Sequence, residues 1–188
     1  MGSSAYARVH LRDVRLDDVD LYVRLRCDPG LTAGLGGPWP RESIEDKVAS
    51  DVALAASGEA IICVAVVQVA AEGDGKSDAG DHGAGSKGDD GVDAGHVCLW
   101  RSEHQGEPVD EIGWMVLAEH HGRGVARAAV TKLLARADGV GGWGPVHAFP
   151  AVDNLASNAL SRSLGFTLQG QDAIEFRGAT FTSNHWLR

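Results

Sequence analysis

No apolar run in the sequence approaches the roughly 18 residues of a membrane span, so no membrane partner is expected. The opening stretch, MGSSAYARVH, lacks the apolar core of a secretory leader, which leads to the expectation of a cytoplasmic protein. The three cysteines, Cys27, Cys63 and Cys98, are odd in number, far apart and without a C-x-x-C pair. That argues against a disulfide framework and against a zinc site, and the three read as buried thiols. No basic stripe is visible, so nucleic acid is not an expected partner. There is also no internal repeat.

What is present is one ordinary core. The chain of 188 residues is 44% hydrophobic, which suits a single domain with an insertion. The insertion is visible in the charge. Residues 72–93, EGDGKSDAGDHGAGSKGDDGVD, hold seven acids against two lysines and supply −5 of the total −9, leaving −4 elsewhere. With seven glycines and no Leu, Ile or aromatic residue, this segment buries too little apolar surface to offset its ordering entropy. It is expected to be a flexible loop joining two strands inside one domain that spans residues 1–188. A cationic acceptor is compatible with the net charge but is not specified by it.

Periodicity predicts an alternation of strands and helices. VHLRDV (9–14) alternates as a strand, and a helix follows over Leu16–Cys27, stopped at Asp28-Pro29-Gly30. LGGPWP (35–40) is a loop, and Ser43–Ala56 is a second helix. AIICVAVVQVAA (60–71) reads as a central strand; HVCLWRS (96–102) and DEIGWMVL (110–117) read as a hairpin-like pair. Gly124–Ala137 is an amphipathic helix, with Val125, Ala129, Leu133 and Ala126, Val130, Leu134 on one face. GPVHAFPA (144–151) is a strand and Asn154–Leu164 a helix capped by Asp153 or Asn154 and closed by Gly165. FTLQG (166–170) and ATFTSNHWLR (179–188) form a last pair.

Chemistry concentrates where DEIGWMVL runs through HHGRG into the helix beyond. The first N–H groups of a helix have no partner within it, and their dipole favours an anion. Glycines let a phosphate approach the backbone, and Arg123 and Arg127 add positive charge. The stretch is not a P-loop, because no Lys-Ser or Lys-Thr follows at the required spacing; nor is it a dinucleotide fingerprint, whose third glycine is replaced by Arg127. His120 and His121 are adjacent, so their side chains diverge, and no H-E-x-x-H or third ligand accompanies them; no metal site is expected. Glu111 shares a strand face with Gly113 and Met115, whereas Asp110 faces the other way. Trp39, in a glycine- and proline-rich loop, and Trp114 are candidates for shaping an acceptor site.

His121-Gly122-Arg123-Gly124-Val125-Ala126, followed at this spacing by Asn154-x-x-Ser157 and Leu164-Gly165-Phe166, resembles the GNAT superfamily of acyl-CoA-dependent N-acetyltransferases. GWMVLAEHHGRGVARAAV is most similar to its RimJ/RimL-type branch, with the resemblance covering roughly residues 8–188 outside the acidic segment. It implies a mixed α/β (α+β) GNAT-like fold, a central, mostly antiparallel twisted sheet of six to seven strands flanked by about four helices. It implies acetyl-CoA as co-substrate and an amine-bearing small molecule or protein N-terminus as partner. A homodimer is compatible with it. Backbone groups of Met115, Val116 and Leu117, at a strand bulge, would hold the pantetheine and carbonyl. Residues His121 to Ala126 would hold the pyrophosphate, and Asn154 the pantetheine arm. Glu111 would be the base. The tyrosine that many members place seven residues after the Asn is Ser161 here, which leaves Ser157 as the proposed acid.

Two other classes stay open at this point: an acyl-CoA-binding module with lost catalysis, and a nucleotide-binding interaction protein, against which the missing lysine counts. Within the enzyme class, an aminoglycoside- or polyamine-type acetyltransferase is the rival. One expectation follows directly from the acidic segment. Deleting about residues 74–91 should leave the melting temperature nearly unchanged, since closure entropy changes by only about 0.6 kcal/mol per doubling of loop length. Loss of cooperative melting would show that the segment is packed.

Overall fold

The computed structural model describes residues 6–69 and 91–188. In chain order they form β1 (Tyr6–Asp13), α1 (Val19–Arg26), α2 (Pro29–Thr32), α3 (Ile44–Ser57), β2 (Ala60–Val69), β3 (Val92–His104) and β4 (Glu107–Val116). Then come α4 (Val125–Val140), β5 (Val146–Ala148), α5 (Leu155–Ser163), β6 (Thr167–Phe176) and β7 (Ala179–Leu187). The strands make one seven-stranded sheet in the order β1-β2-β3-β4-β5-β7-β6. Every pairing is antiparallel except β4 with β5. This is the expected mixed α/β architecture, with five helices where about four were expected.

The additional helix has a local cause. Asp28-Pro29-Gly30 was expected to stop a helix, and it also starts one. The Asp28 carboxylate accepts from Gly30 N (2.7 Å) and Leu31 N (3.1 Å), with Pro29 in the first turn, where its missing N–H costs nothing. Two hairpins turn on residue pairs with positive φ, Gln105-Gly106 (53° and 84°) and Arg177-Gly178 (53° and 77°). Such turns match the right-handed twist of the strands they join.

The acidic segment lies outside the described residues except for its last three. Val92 and Asp93, expected in the loop, belong to β3. Arg12 draws Asp93 in at 2.7 Å while also holding the buried Asp18. β2 and β3, on either side of the segment, are antiparallel neighbours.

The core lies in two layers. On one face of the sheet, Val125, Ala129, Val130, Leu133, Leu134 and Ala137 of α4 pack on Ala65, Val67, Val97, Leu99, Ile112 and Val116. On the other, Tyr22 of α1 and Ile44 and Val48 of α3 pack on Ala60 and Ile62, with Cys98 and Trp100 beside them. Tyr22 donates to Asp51 (2.9 Å), which also pairs with Lys47. All three cysteines are free thiols; Cys63 is buried, but Cys27 and Cys98 are only half-buried by surface. Burial pushes the Cys98 thiol up to about 12, so it stays protonated.

One glycine governs how closely β3 and β4 approach. β3 carries an extra residue, Ala94, between the partners of Ala65 and Val66. At the next position, a Cβ on Gly95 would sit 2.2 Å from the Met115 carbonyl oxygen and 2.8 Å from Val116 Cα. Gly95→Ala must therefore push the end of β4 away. It is expected to destabilise the protein by about 1–3 kcal/mol, the usual scale of overpacking. Chemical denaturation checks this, and an unchanged midpoint would mean that β4 yields freely at this point.

Candidate functional site

β4 and β5 part almost as soon as they meet. Only Asp110↔Val146 and Glu111↔His147 are paired, after which β4 runs on to Val116 without β5 beside it. The buried carboxylate of Asp110 fixes this junction. It pairs with Arg101 and accepts from Gly144 N, just before β5 begins. Arg101 also donates to the Gly142 carbonyl (2.6 Å) and stacks 4.2 Å from the Trp143 ring. Asp110 is thus committed to structure, and Glu111 faces the other side of the sheet.

The far end of β4 differs from the expected bulge. Its pairing with β3 is unbroken from His104↔Glu107 to Gly95↔Val116, and the irregularity sits on β3 at Ala94 instead. Leu117 N donates back to Ala94 O (2.8 Å). Alternation therefore turns the Leu117 and Met115 backbones toward β3 and the Val116 backbone toward the split. The Val116 carbonyl meets His121 Nε2 at 2.7 Å. A carbonyl can only accept, so His121 Nε2 carries the proton. His121 therefore braces the end of β4. The buried His120 sits on the turn at residues 118–120.

Gly122 and Gly124 both hold positive φ (69° and 77°), and a Cβ on either would meet nothing within 4 Å. They are glycines because of backbone conformation, and the space around them is open. Gly124 caps α4 without a side-chain hydrogen bond, and its carbonyl receives the first helical bond, from Ala128 N. The N–H groups of Val125, Ala126 and Arg127 precede that bond and have no partner within the helix. No acidic residue stands in this first turn. An open groove of about 450 Å³ lies between Val23, Cys27 and Leu31 on one side and Leu117 and Glu119, just past the end of β4, on the other.

Across the split, Asn154 and Ser157 stand at the head of α5, on the β5–β7–β6 half of the sheet. Asn154 is the cap: its Oδ1 accepts from Ser157 N at 3.0 Å. Ser161 is fully buried and donates to the Ser157 carbonyl (3.1 Å), so its hydroxyl is committed within the helix. Asn158, which the sequence did not single out, holds this wall together. It donates to Ala151 O and Asn154 O and accepts from Asn184 Nδ2 (2.7 Å) and Trp186 Nε1 (2.9 Å).

On the face carrying Glu111, burial raises the Glu111 carboxyl above the ordinary carboxylate range, and a hydrogen bond from Ser102 only partly opposes it. Trp39 lies on this side, between the guanidinium groups of Arg26 (5.2 Å) and Arg177 (4.5 Å), and Arg177 donates to Gly37 O (3.2 Å). Trp114 does not join it. It shares the face of Ile112 and Val116 and packs on the α4 core, which removes it from the acceptor-side aromatics. Arg26 Nη2 reaches His96 Nε2 at 3.0 Å, and burial holds the His96 ring neutral, well below its ordinary range. Among the described residues no ion pair engages Arg26, and Arg26 Nε and His96 Nδ1 are buried without a hydrogen-bond partner. Beyond Glu111 on the same face lie His147, His185, His104 and Asp172, which no spacing pattern in the sequence marked.

Among the described residues no helix is long and apolar enough to cross a membrane. No curated protein sequence matches significantly. The fold is shared with solved acetyltransferases. The Salmonella typhimurium acetyltransferase that modifies the N-terminal serine of ribosomal protein L7/L12 has a TM-score of 0.71 at 19% identity, covering 97% of this chain and 95% of that one. The microcin C7 self-immunity acetyltransferase MccE, in complex with acetyl-CoA and AMP, has a TM-score of 0.72 at 18% identity, covering 100% and 97%. Mycobacterium smegmatis RimJ, in complex with CoA-disulfide, has a TM-score of 0.70 at 19% identity, covering 96% and 81%. A family profile for the acetyltransferase (GNAT) domain matches residues 8–167, from β1 to the start of β6. The chain therefore belongs to the GNAT family and is an acetyl-CoA-dependent N-acetyltransferase, with a fold shared with RimL and RimJ.

Proposed function

We propose that this chain acetylates the amine at a protein or peptide N-terminus by direct attack in a ternary complex, with Glu111 as general base. The observation that carries this reading is the split edge of β4 running straight into the open Gly122–Gly124 turn at the head of α4. That arrangement fits acetyl-CoA. The turn has room for a diphosphate where side chains are missing, and three helical N–H groups follow it. His121 to Ala126 would hold the pyrophosphate, the Val116 N–H the pantetheine and carbonyl region, and Asn154 the arm from the opposite wall. The co-substrate supplies the acetyl group as an activated thioester.

The chain supplies proton transfers and placement. An ammonium must lose a proton before its nitrogen can attack, and Glu111 is the carboxylate on the acceptor face of the β4 strand. Its raised pKa makes it a stronger base than an exposed glutamate. Ser161 is unable to donate because its hydroxyl is committed to Ser157 O, so the half-buried Ser157 hydroxyl is the acid that protonates the departing thiolate. Trp39, clamped between two arginines, would bound the acceptor pocket.

The acceptor preference rests on Arg26 and His96. A guanidinium that no ion pair engages among the described residues favours an acceptor that brings an oxygen close to its amine, as the first residue of a peptide does with its carbonyl. A polyamine or aminoglycoside would bring positive charge to an unpaired guanidinium. A panel of peptides, polyamines and aminoglycosides, assayed for CoA release, tests this: peptides should turn over fastest. Polyamine or aminoglycoside preference would overturn the acceptor assignment, and CoA binding without turnover of any amine would make the chain a binding module.

Two substitutions test the roles separately. Gly124→Glu places a side chain and a negative charge in the diphosphate path, so the thermal stabilisation given by CoA should vanish. Retained stabilisation would remove the turn from the binding site. Glu111→Gln should lower the acetylation rate by roughly 10²-fold or more while leaving that stabilisation intact. Because the base acts only when ionised, the wild-type rate should rise with pH through the raised pKa of Glu111, and this limb should be missing in the variant. Near-wild-type turnover in Glu111→Gln would assign the proton to another acceptor.

A further inference from the structure

The reaction above leaves unused a cluster of three histidines and an aspartate where the two hairpins meet. His104 is the last residue of β3, Asp172 lies on β6 and His185 on β7. Asp172 Oδ2 is 3.3 Å from His104 Nε2 and 3.5 Å from His185 Nδ1, and the three ligand atoms lie within 4.8 Å of one another. The side chains are 12%, 20% and 16% exposed, enough for an ion to enter and too little for water to dominate.

Both distances exceed the usual 2.7–3.2 Å of a nitrogen–oxygen hydrogen bond. They match a different spacing. Ligand atoms about 2.0–2.1 Å from a tetrahedral metal stand roughly 3.3–3.4 Å apart. The far end of each of two ligands is also held. His185 Nε2 meets His147 Nδ1 at 2.9 Å, and Asp172 Oδ1 accepts from Gln105 Nε2 at 2.9 Å. With Nε2 engaged by His147, His185 turns Nδ1 to the carboxylate oxygen, and in the tautomer that donates from Nε2 this atom offers its lone pair to an ion. Phe149 packs against His104 (4.6 Å) and His185 (4.8 Å) and walls one side with an apolar ring.

We infer that His104, Asp172 and His185 bind a divalent transition ion, Zn²⁺ by preference, with His147 and Gln105 as the outer residues that orient two of the ligands. Two imidazoles and one carboxylate suit zinc, cobalt or nickel, whereas magnesium and calcium select all-oxygen shells. The fourth position faces solvent or an incoming ligand. The ion is a clip between the β3–β4 turn and the β6–β7 hairpin, one from each side of the split sheet, and takes no part in acetyl transfer. The absence of H-E-x-x-H or C-x-x-C is no obstacle, because the ligands come from three strands, with His104 far in sequence from the hairpin that carries Asp172 and His185.

The full chain, stripped with chelator and dialysed, tests the site. One equivalent of Zn²⁺ should bind and raise the melting temperature, and Co²⁺ should give the visible absorption of a tetrahedral site. His104→Ala, His185→Ala and the near-isosteric Asp172→Asn should each remove that equivalent. Gln105→Ala and His147→Phe should weaken it by roughly 10–100-fold, the scale for residues that orient a ligand. No stoichiometric binding, or no tetrahedral cobalt spectrum in the wild-type chain, would overturn the assignment and leave Asp172 as a polar partner of the two histidines alone. Binding that survives all three ligand variants would place the ion on other side chains and overturn it equally.

Discussion

The buried carboxylate of Asp110 is the constraint on which the site depends. By gripping Arg101 and Gly144 N together, it sets where β5 starts and how far it runs beside β4. Two pairs form and then the strands diverge. A longer pairing would cover the β4 edge with hydrogen bonds, and the split would close. The residue immediately after it, Glu111, turns to the opposite face at the mouth of the opening. Adjacent carboxylates thus have different tasks because a strand alternates: one is fixed by an arginine and an amide, the other raised by burial.

Local signals in the sequence were dependable at the end of α5 and along the buried face of α4. Gly165 holds the left-handed position that closes α5, with φ of 87°, and Phe166 N bonds back to Ser161 O as the end of α5 requires. The α4 face was legible from spacing alone, with Val125, Ala129, Val130, Leu133 and Leu134 all buried. The reading failed where a partner far along the chain decides. Nothing near Met115 reveals that the irregular residue is Ala94 on the neighbouring strand. Nothing near Trp114 reveals which face α4 will cover. Asp28 was seen as a stop because Pro-Gly follows it, although the same three residues can open a new turn.

The two walls of the split are built on different principles. The β4–α4 wall offers backbone: an open glycine turn, unpartnered helical N–H groups and a strand edge braced by His121. The β5–β7–β6 wall is tied by side chains through Asn158, whose amide joins the head of α5 to Asn184 and Trp186 on β7. In the proposed reading, the backbone surface would recognise groups shared by all acyl-CoA molecules, and the side chains around Trp39, Arg26 and His96 would distinguish acceptors.

The scarcity of pairing between β4 and β5 also has a consequence for how the chain assembles. The hairpins β3–β4 and β6–β7 close over turns of two residues with suitable backbone. Asp110 and Val146, by contrast, meet only after the whole of α4 has been laid between them. Such a junction carries most of the loop-closure entropy of its region and few hydrogen bonds to offset it. The seam between the halves is therefore a sparsely paired join, as is that between β5 and β7. A ligand bridging it adds cohesion where the polypeptide has little of its own.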